Sequence, residues 1–200
     1  VFEGLDTYAD VYLNGKLILQ ADNMFRGWTI NVRPNIRKTN NELLIRFYSA
    51  QKKADSIAQS KLPMILPDNN RVYVRKAQFQ FGWDWGPRFI GCGIWRKITL
   101  QAGGHTVRRA AVKRTNQVKQ VQQTDSIGTS LNIEKNGKPI YAKGANWIPA
   151  DVFLPRVTKD DYRKMLISAK EANMNMLRVW GGGVYETDEL VAFPSAKPKA

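Results

Sequence analysis

The 200-residue chain holds one cysteine, Cys92, and one histidine, His105. A lone thiol excludes an intrachain disulfide and a thiolate metal site, so no metal is expected. His105 stands in basic, polar sequence with no Ser or Cys nucleophile motif beside it and reads as solvated. No apolar run reaches the ~18 residues of a membrane span, and no membrane partner is expected. The opening VFEGLDTYAD has neither a basic n-region nor an apolar h-region and reads like mid-domain sequence, which leaves the compartment open. No N-x-S/T acceptor occurs. Acids are scarce, 17 against 31 basic residues, for a net charge of +14 and a pI near 10.0. Such a balance raises nucleic acid as a partner. The one basic run, Arg108, Arg109, Lys113, Arg114 and Lys119, has almost no interleaved aromatics for base stacking, so a nucleic-acid partner is not expected. Oligomeric state is not legible.

What is present is core material: 43% hydrophobic residues, with six Trp and seven Tyr concentrated in 1–100 and 141–185. Residues 5–20 alternate apolar and polar around Asn14-Gly15, which supplies the two positive φ angles of a type I′ hairpin. Period-two segments follow at Glu42–Tyr48, with Leu43, Ile45 and Phe47 on one face, at Arg71–Phe81, and at Trp95–Gln101 with Ile98 among its apolar members. Short strands joined by turns predict an antiparallel β-sandwich over 1–102. Gln51–Asn70, with Pro63 and Pro67, reads as a long connection or a loop with one helical turn. Residues 103–130 turn basic and polar and read as a linker, in which Val107–Val112 is a candidate strand.

From residue 131 the pattern changes. An apolar segment, Pro139–Ala145, precedes the loop NWIPADVFLPR, and a helix follows, N-capped by Thr158 with Asp160 and Asp161 in its first turn. Tyr162, Met165, Leu166, Ala169 and Ala172 recur at helical spacing, the helix ends near Asn173, and Met174–Trp180 reads as a strand. Strand, helix, strand predicts a βαβ unit with parallel strands, as at the start of a (β/α)8 barrel over 131–190, and 191–200 reads as a frayed tail. In such barrels function sits at C-terminal strand ends, where Asn146, Trp147 and Trp180 fall.

Several side chains here have the chemistry of a sugar site. In FGWDWGP, an extended segment would set Trp83 and Trp85 on one face and Asp84 on the other. Indole faces stack on C–H patches while a carboxylate accepts from sugar hydroxyls; the alternative is a turn in which Asp84 caps backbone N–H groups and the indoles are core. Trp180, before Gly181, Gly182 and Gly183, is a pocket wall or a barrel-layer aromatic. Arg178, two residues earlier, orients a carboxylate with its planar fork or makes a structural ion pair. Asn146 and Trp147, read as lying in the loop after the first barrel strand, line a pocket or serve as a turn residue and a hydrophobic plug. Glu186, Asp188 and Glu189 read as a helix N-terminus. A sandwich alone, using Trp83, Trp85 and Trp95, is a second possibility, a carbohydrate-binding module.

Three segments together, FQFGWDWGPRFIGCGIWRKITL (79–100), KGANWIPADVFLPRVT (143–158) and AKEANMNMLRVWGGGVYE (169–186), resemble the β-mannosidase branch of the family 2 glycoside hydrolases, with support from LDTYADVYLNGKLI. The resemblance covers roughly 1–102 and 125–188. It implies a galactose-binding-like jelly roll, an immunoglobulin-like sandwich and then a catalytic barrel. It also implies retaining hydrolysis of terminal, non-reducing β-mannosides without metal or cofactor, with the loop carrying Asp84 reaching the substrate and Trp180 walling the mannose pocket. The chain departs from that pattern in lacking the jelly roll's opening strands, in an interval of 103 to about 124 too short for the second domain, and in VAFPSAKPKA after Glu189. The resemblance thus implies a truncated member, in which 103–130 is a linker or the remnant of the immunoglobulin-like domain. Both catalytic glutamates of the family lie beyond this point, so no catalytic residue is expected in this chain.

Overall fold

The computed structural model describes residues 1–64, 66–67, 70–102, 118–187 and 190. The expected strand at 107–112, His105, Asp188, Glu189 and the tail at 191–200 lie outside them. The described residues form two compact units. One comprises 1–102, 149–156 and 181–185; the other comprises 118–148, 157–180, 186–187 and 190.

In the first unit β1 (Leu5–Asp6), β2 (Tyr8–Leu13), β3 (Lys16–Asp22) and β4 (Leu43–Tyr48) precede helix α1 (Ala50–Ser60) and β5 (Gly93–Ile94). β3, β2 and β4 form an antiparallel sheet in that order, and β1 pairs antiparallel with β5. The expected hairpin is present: Asn14 (φ 53°) and Gly15 (φ 80°) turn the chain between β2 and β3. Alternation along β2 buries Ala9, Val11 and Leu13. With Phe2, Leu5, Leu19 and Ala21 they build the core, onto which Ile45, Phe47 and Ile98 pack. On the other face of β2, Asp10 accepts from Tyr48 Oη at 2.6 Å and Gln20 Nε2 at 3.0 Å, tying three strands together.

Three expectations for this unit need correction. The connection after Tyr48 is an 11-residue helix, not a loop with a single turn. Its signal is weak because only Ala50 and Ala54 are buried, too small to print an apolar stripe, although Ser49 caps it by accepting from Lys52 N. Arg71–Phe81 is not a strand: two 3-10 turns, Arg71–Tyr73 and Gln78–Phe81, flank a short extended piece in which Arg75 bridges Asn23. Trp95–Gln101 does not run as a strand either. The amides of Trp95 and Arg96 both aim at Gly4 O, which breaks the ladder, and Ile98 pairs only with Phe2.

The second unit opens with β6 (Val118–Thr124), β7 (Thr129–Lys135) and β8 (Lys138–Ile140), an antiparallel sheet in that order. Within 103–130, read as a linker or a domain remnant, β6 and the start of β7 stand. VKQVQQT has no apolar alternation to announce a strand, and it is held by its ladder to β7. Then come β9 (Gly144–Trp147), helix α2 (Lys159–Glu171) and β10 (Met176–Val179). β10 lies parallel to β9, with Met176 opposite Gly144 and Val179 opposite Trp147, so the strand–helix–strand expectation holds. A Cβ at Gly144 would sit 1.8 Å from Met176 O, so the close approach of the strands requires glycine. Thr158 caps α2 in a reciprocal box with Asp161, Tyr162 is the buried residue of the helix, and Asn173 (φ 56°) turns the chain out of it. Ala172, expected on the apolar stripe, is exposed.

Candidate functional site

Residues 82–86 form a tight turn. Trp83 N donates to Gly86 O at 3.0 Å and Gly86 N to Trp83 O at 3.3 Å, which leaves Asp84 and Trp85 at the tip. Of the two geometries read from the sequence, extended segment and turn, the backbone takes the turn, which does not force the two indoles onto one face. Gly82 enters it at φ 98°, a conformation that excludes side-chain-bearing residues at low cost. Asp84 is exposed, so its charge stays hydrated and the cost of burying an acid between two Trp never arises. Trp83 is 39% exposed, with the Arg71 guanidinium 4.7 Å from its ring centre. Trp85 is half-buried and stacks on the fully buried Phe79, 5.4 Å between ring centres and 25° between planes.

Around this turn the first unit gathers residues distant in sequence. Phe79 N donates to Gly182 O at 3.1 Å, Arg96 Nη2 donates to Tyr185 O at 2.6 Å, and Tyr185 meets Phe25 edge to face at 5.9 Å. Phe89 packs against Phe153 at 5.6 Å, and Arg156 pairs with Asp151 beneath that contact at 2.8 Å. The Arg156 guanidinium holds the Asp151 carboxyl below the usual carboxylate range. Trp95 takes a structural place: its Nε1 donates to Met24 O at 3.0 Å and Arg96 covers its ring at 4.3 Å.

Buried in the first unit is an ion pair that the sequence reading missed. Lys76, with no side-chain exposure, donates from Nζ to both carboxylate oxygens of Asp6 at 2.6 Å and to Gly91 O at 2.8 Å. Burial pushes its pKa down while the Asp6 charge and hydrogen bond oppose that shift. No local pattern signals this, since Asp6 is 70 residues away along the chain.

In the second unit the strand ends carry the other candidates. Asn146 and Trp147 are the last two residues of β9, not part of the loop after it. Arg178 sits opposite Asn146 across the parallel ladder and donates to its Oδ1 at 3.1 Å. Trp147 is 8% exposed, stacks on Tyr162 at 6.0 Å, and donates from Nε1 to Glu186 Oε1 at 2.9 Å. Tyr162 Oη donates to the other oxygen of the same carboxylate at 2.8 Å. Glu186, read from sequence as part of a helix start, is therefore a clamp on two aromatic rings. Trp180 is half-buried, and its amide donates to Trp147 O at 2.9 Å. A cavity of about 490 Å³ lies against Trp147, Leu166, Leu177 and Val179. An apolar groove of about 840 Å³ in the first unit, lined by Phe2, Ile18, Ile30 and Ile98, contains none of the predicted site residues. Among the described residues no His, Cys, Asp and Glu cluster could hold a metal ion.

Residues 1–96 match the model of the glycosyl hydrolase 2 galactose-binding domain-like family. The chain is 28% identical to β-mannosidase B of Thermothelomyces thermophilus over 92% of its own length and 33% of that protein. To the β-mannosidase of Rattus norvegicus it is 27% identical over 96% of its length and 34% of the relative. The crystal structure of the β-D-mannosidase from Dictyoglomus thermophilum superposes with a TM-score of 0.83 at 30% identity, over 96% of this chain and 36% of that one. The chain thus spans about a third of the length of the relatives it matches. Residues 1–96 thus resemble the galactose-binding-like domain of the family 2 glycoside hydrolases, and the proteins similar to nearly all of the chain are β-mannosidases.

Proposed function

We propose that this chain forms the sugar-positioning part of a retaining exo-β-mannosidase acting on terminal, non-reducing β-D-mannose. In the first unit Asp84 accepts from substrate hydroxyls and Trp83 offers a ring face to the sugar, with Trp85 behind it. In the second unit Trp180 and Trp147 offer ring faces, and Arg178 with Asn146 forms a polar pair at the strand ends. The observation that carries this reading is the turn closed by Trp83 N to Gly86 O and Gly86 N to Trp83 O, which presents Asp84 and the exposed Trp83 ring at its tip. In retaining hydrolysis one carboxylic acid protonates the leaving oxygen while a carboxylate about 5–5.5 Å from it attacks the anomeric carbon. Neither group is assigned to a residue of this chain, and no cofactor enters.

The parallel β9–α2–β10 unit supports reading 131–190 as the first part of the catalytic barrel. The antiparallel β6–β7–β8 sheet supports a remnant of the immunoglobulin-like domain before it. The Thermothelomyces alignment runs over 284 residues while using 92% of these 200, so about 100 positions of the relative have no counterpart here. That gap agrees with a shortened middle region.

The chain is expected to bind methyl β-D-mannoside, to lose about tenfold or more in affinity on Asp84→Ala, and to show no turnover of an aryl β-mannoside. Turnover abolished by replacing a carboxylate of this chain would overturn the division of labour. The exposed Trp83–Asp84 tip also favours a second reading, a carbohydrate-binding module. Binding that survives Trp180→Ala but not Asp84→Ala selects it.

A further inference from the structure

Lys76 is a charged side chain with no exposure, held 2.6 Å from both oxygens of Asp6. Removing an ion pair from water costs several kcal/mol per ion, and apolar residues of similar volume often serve stability as well. Stability alone therefore does not account for the pair. Its geometry offers another reason. The three ammonium protons serve Asp6 Oδ1, Asp6 Oδ2 and Gly91 O, and Thr7 Oγ1 also donates to Asp6 at 2.5 Å. Asp6 lies on β1 opposite Gly93 of β5. The segment 77–90, which contains Trp83, Asp84 and Trp85, thus has its two ends fixed to one point of β1. Lys76 grips the strand's carboxylate at one end, and Gly91 O closes on the same nitrogen at the other. A methylene chain in place of the ammonium would fill the volume but hold neither end.

We propose that Lys76 is a positioning residue for the sugar site: its ammonium closes the base of the 77–90 segment on Asp6 and so sets where the Trp83–Asp84–Trp85 tip meets a β-mannoside. This rests on the substrate reading above. The test compares Lys76→Met with the double variant Asp6→Leu, Lys76→Met in the full chain. The single variant leaves a buried carboxylate unpaired and is expected to melt well below the wild type. The double variant is expected to recover most of that loss. In it the indole N–H resonances of Trp83 and Trp85 shift or broaden, and affinity for methyl β-D-mannoside falls about tenfold or more. A folded double variant with both resonances and the affinity unchanged overturns the proposal. Should neither variant fold, hydrogen exchange on the wild type decides. Amides of Trp83 and Gly86 protected like those of β2 support a closed base, and exchange at open-loop rates refutes it. A wild-type chain that binds no methyl β-D-mannoside counts against the substrate reading, while the resonances still decide the role of Lys76.

Discussion

With Met176 O only 1.8 Å from an added Cβ, Gly144→Ala must push β10 from β9 and should destabilise the second unit by about 1–3 kcal/mol, readable as a lower urea midpoint for that unit's transition. The sequence announces a residue's role where the signal is local and hides it where a distant partner defines it. Asn14-Gly15 reads as a hairpin because two consecutive positive φ angles admit few other residues. Asn136-Gly137 carries the same signal and the same angles, yet polar flanks left it unread. Lys76 and Glu186 were invisible as anchors, since their partners Asp6, Trp147 and Tyr162 lie 24 to 70 residues away. For Trp83, Asp84 and Trp85 the sequence leaves an extended segment and a turn open, and the backbone takes the turn, closing at Gly86.

Elements differ in how openly their ends are written. Helix α2 was legible because Thr158 and Asp161 are spaced as a capping box and Asn173 stops it. Helix α1 was missed because Ala50 and Ala54 bury little surface and two prolines nearby suggested a loop. The cap gives a test, in that Thr158→Ala should cost about 1 kcal/mol of helix stability, measured by denaturant unfolding. It also gives a pH dependence. Hydrogen bonds from the Thr158 side chain and backbone hold Asp161 below its ordinary value of 3.8. A carboxyl with a lowered folded pKa stabilises fully above its unfolded value and loses that contribution as pH falls through the folded one. The α2 circular-dichroism signal should therefore be flat above about pH 5 and decline below pH 4. Asp161→Asn should remove that decline, and an unchanged profile in the variant would assign the acid sensitivity elsewhere.

Across the whole molecule, the spacing of apolar residues foretold two kinds of strand pairing, antiparallel in the first unit and parallel around a helix in the second, and both are present. It did not foretell how the chain is shared between them, because membership in a compact unit depends on contacts and not on order in sequence. The second unit should be the weaker. Among the described residues its parallel sheet has two strands, and Val179, Leu131 and Val118 are exposed on its strands, whereas β2 of the first unit is flanked on both sides. Amides of β9 and β10 should exchange with solvent faster than those of β2, and equal protection would contradict that ranking. The first unit also recruits 149–156 and 181–185 from far downstream. On the ribosome this imposes a timetable. A nascent chain that has emerged only to residue 102 has no Gly182 carbonyl for Phe79 and no Phe153 or Tyr185 rings for Phe89 and Phe25. The sandwich must wait, partly bare, for sequence translated after the first parallel strand.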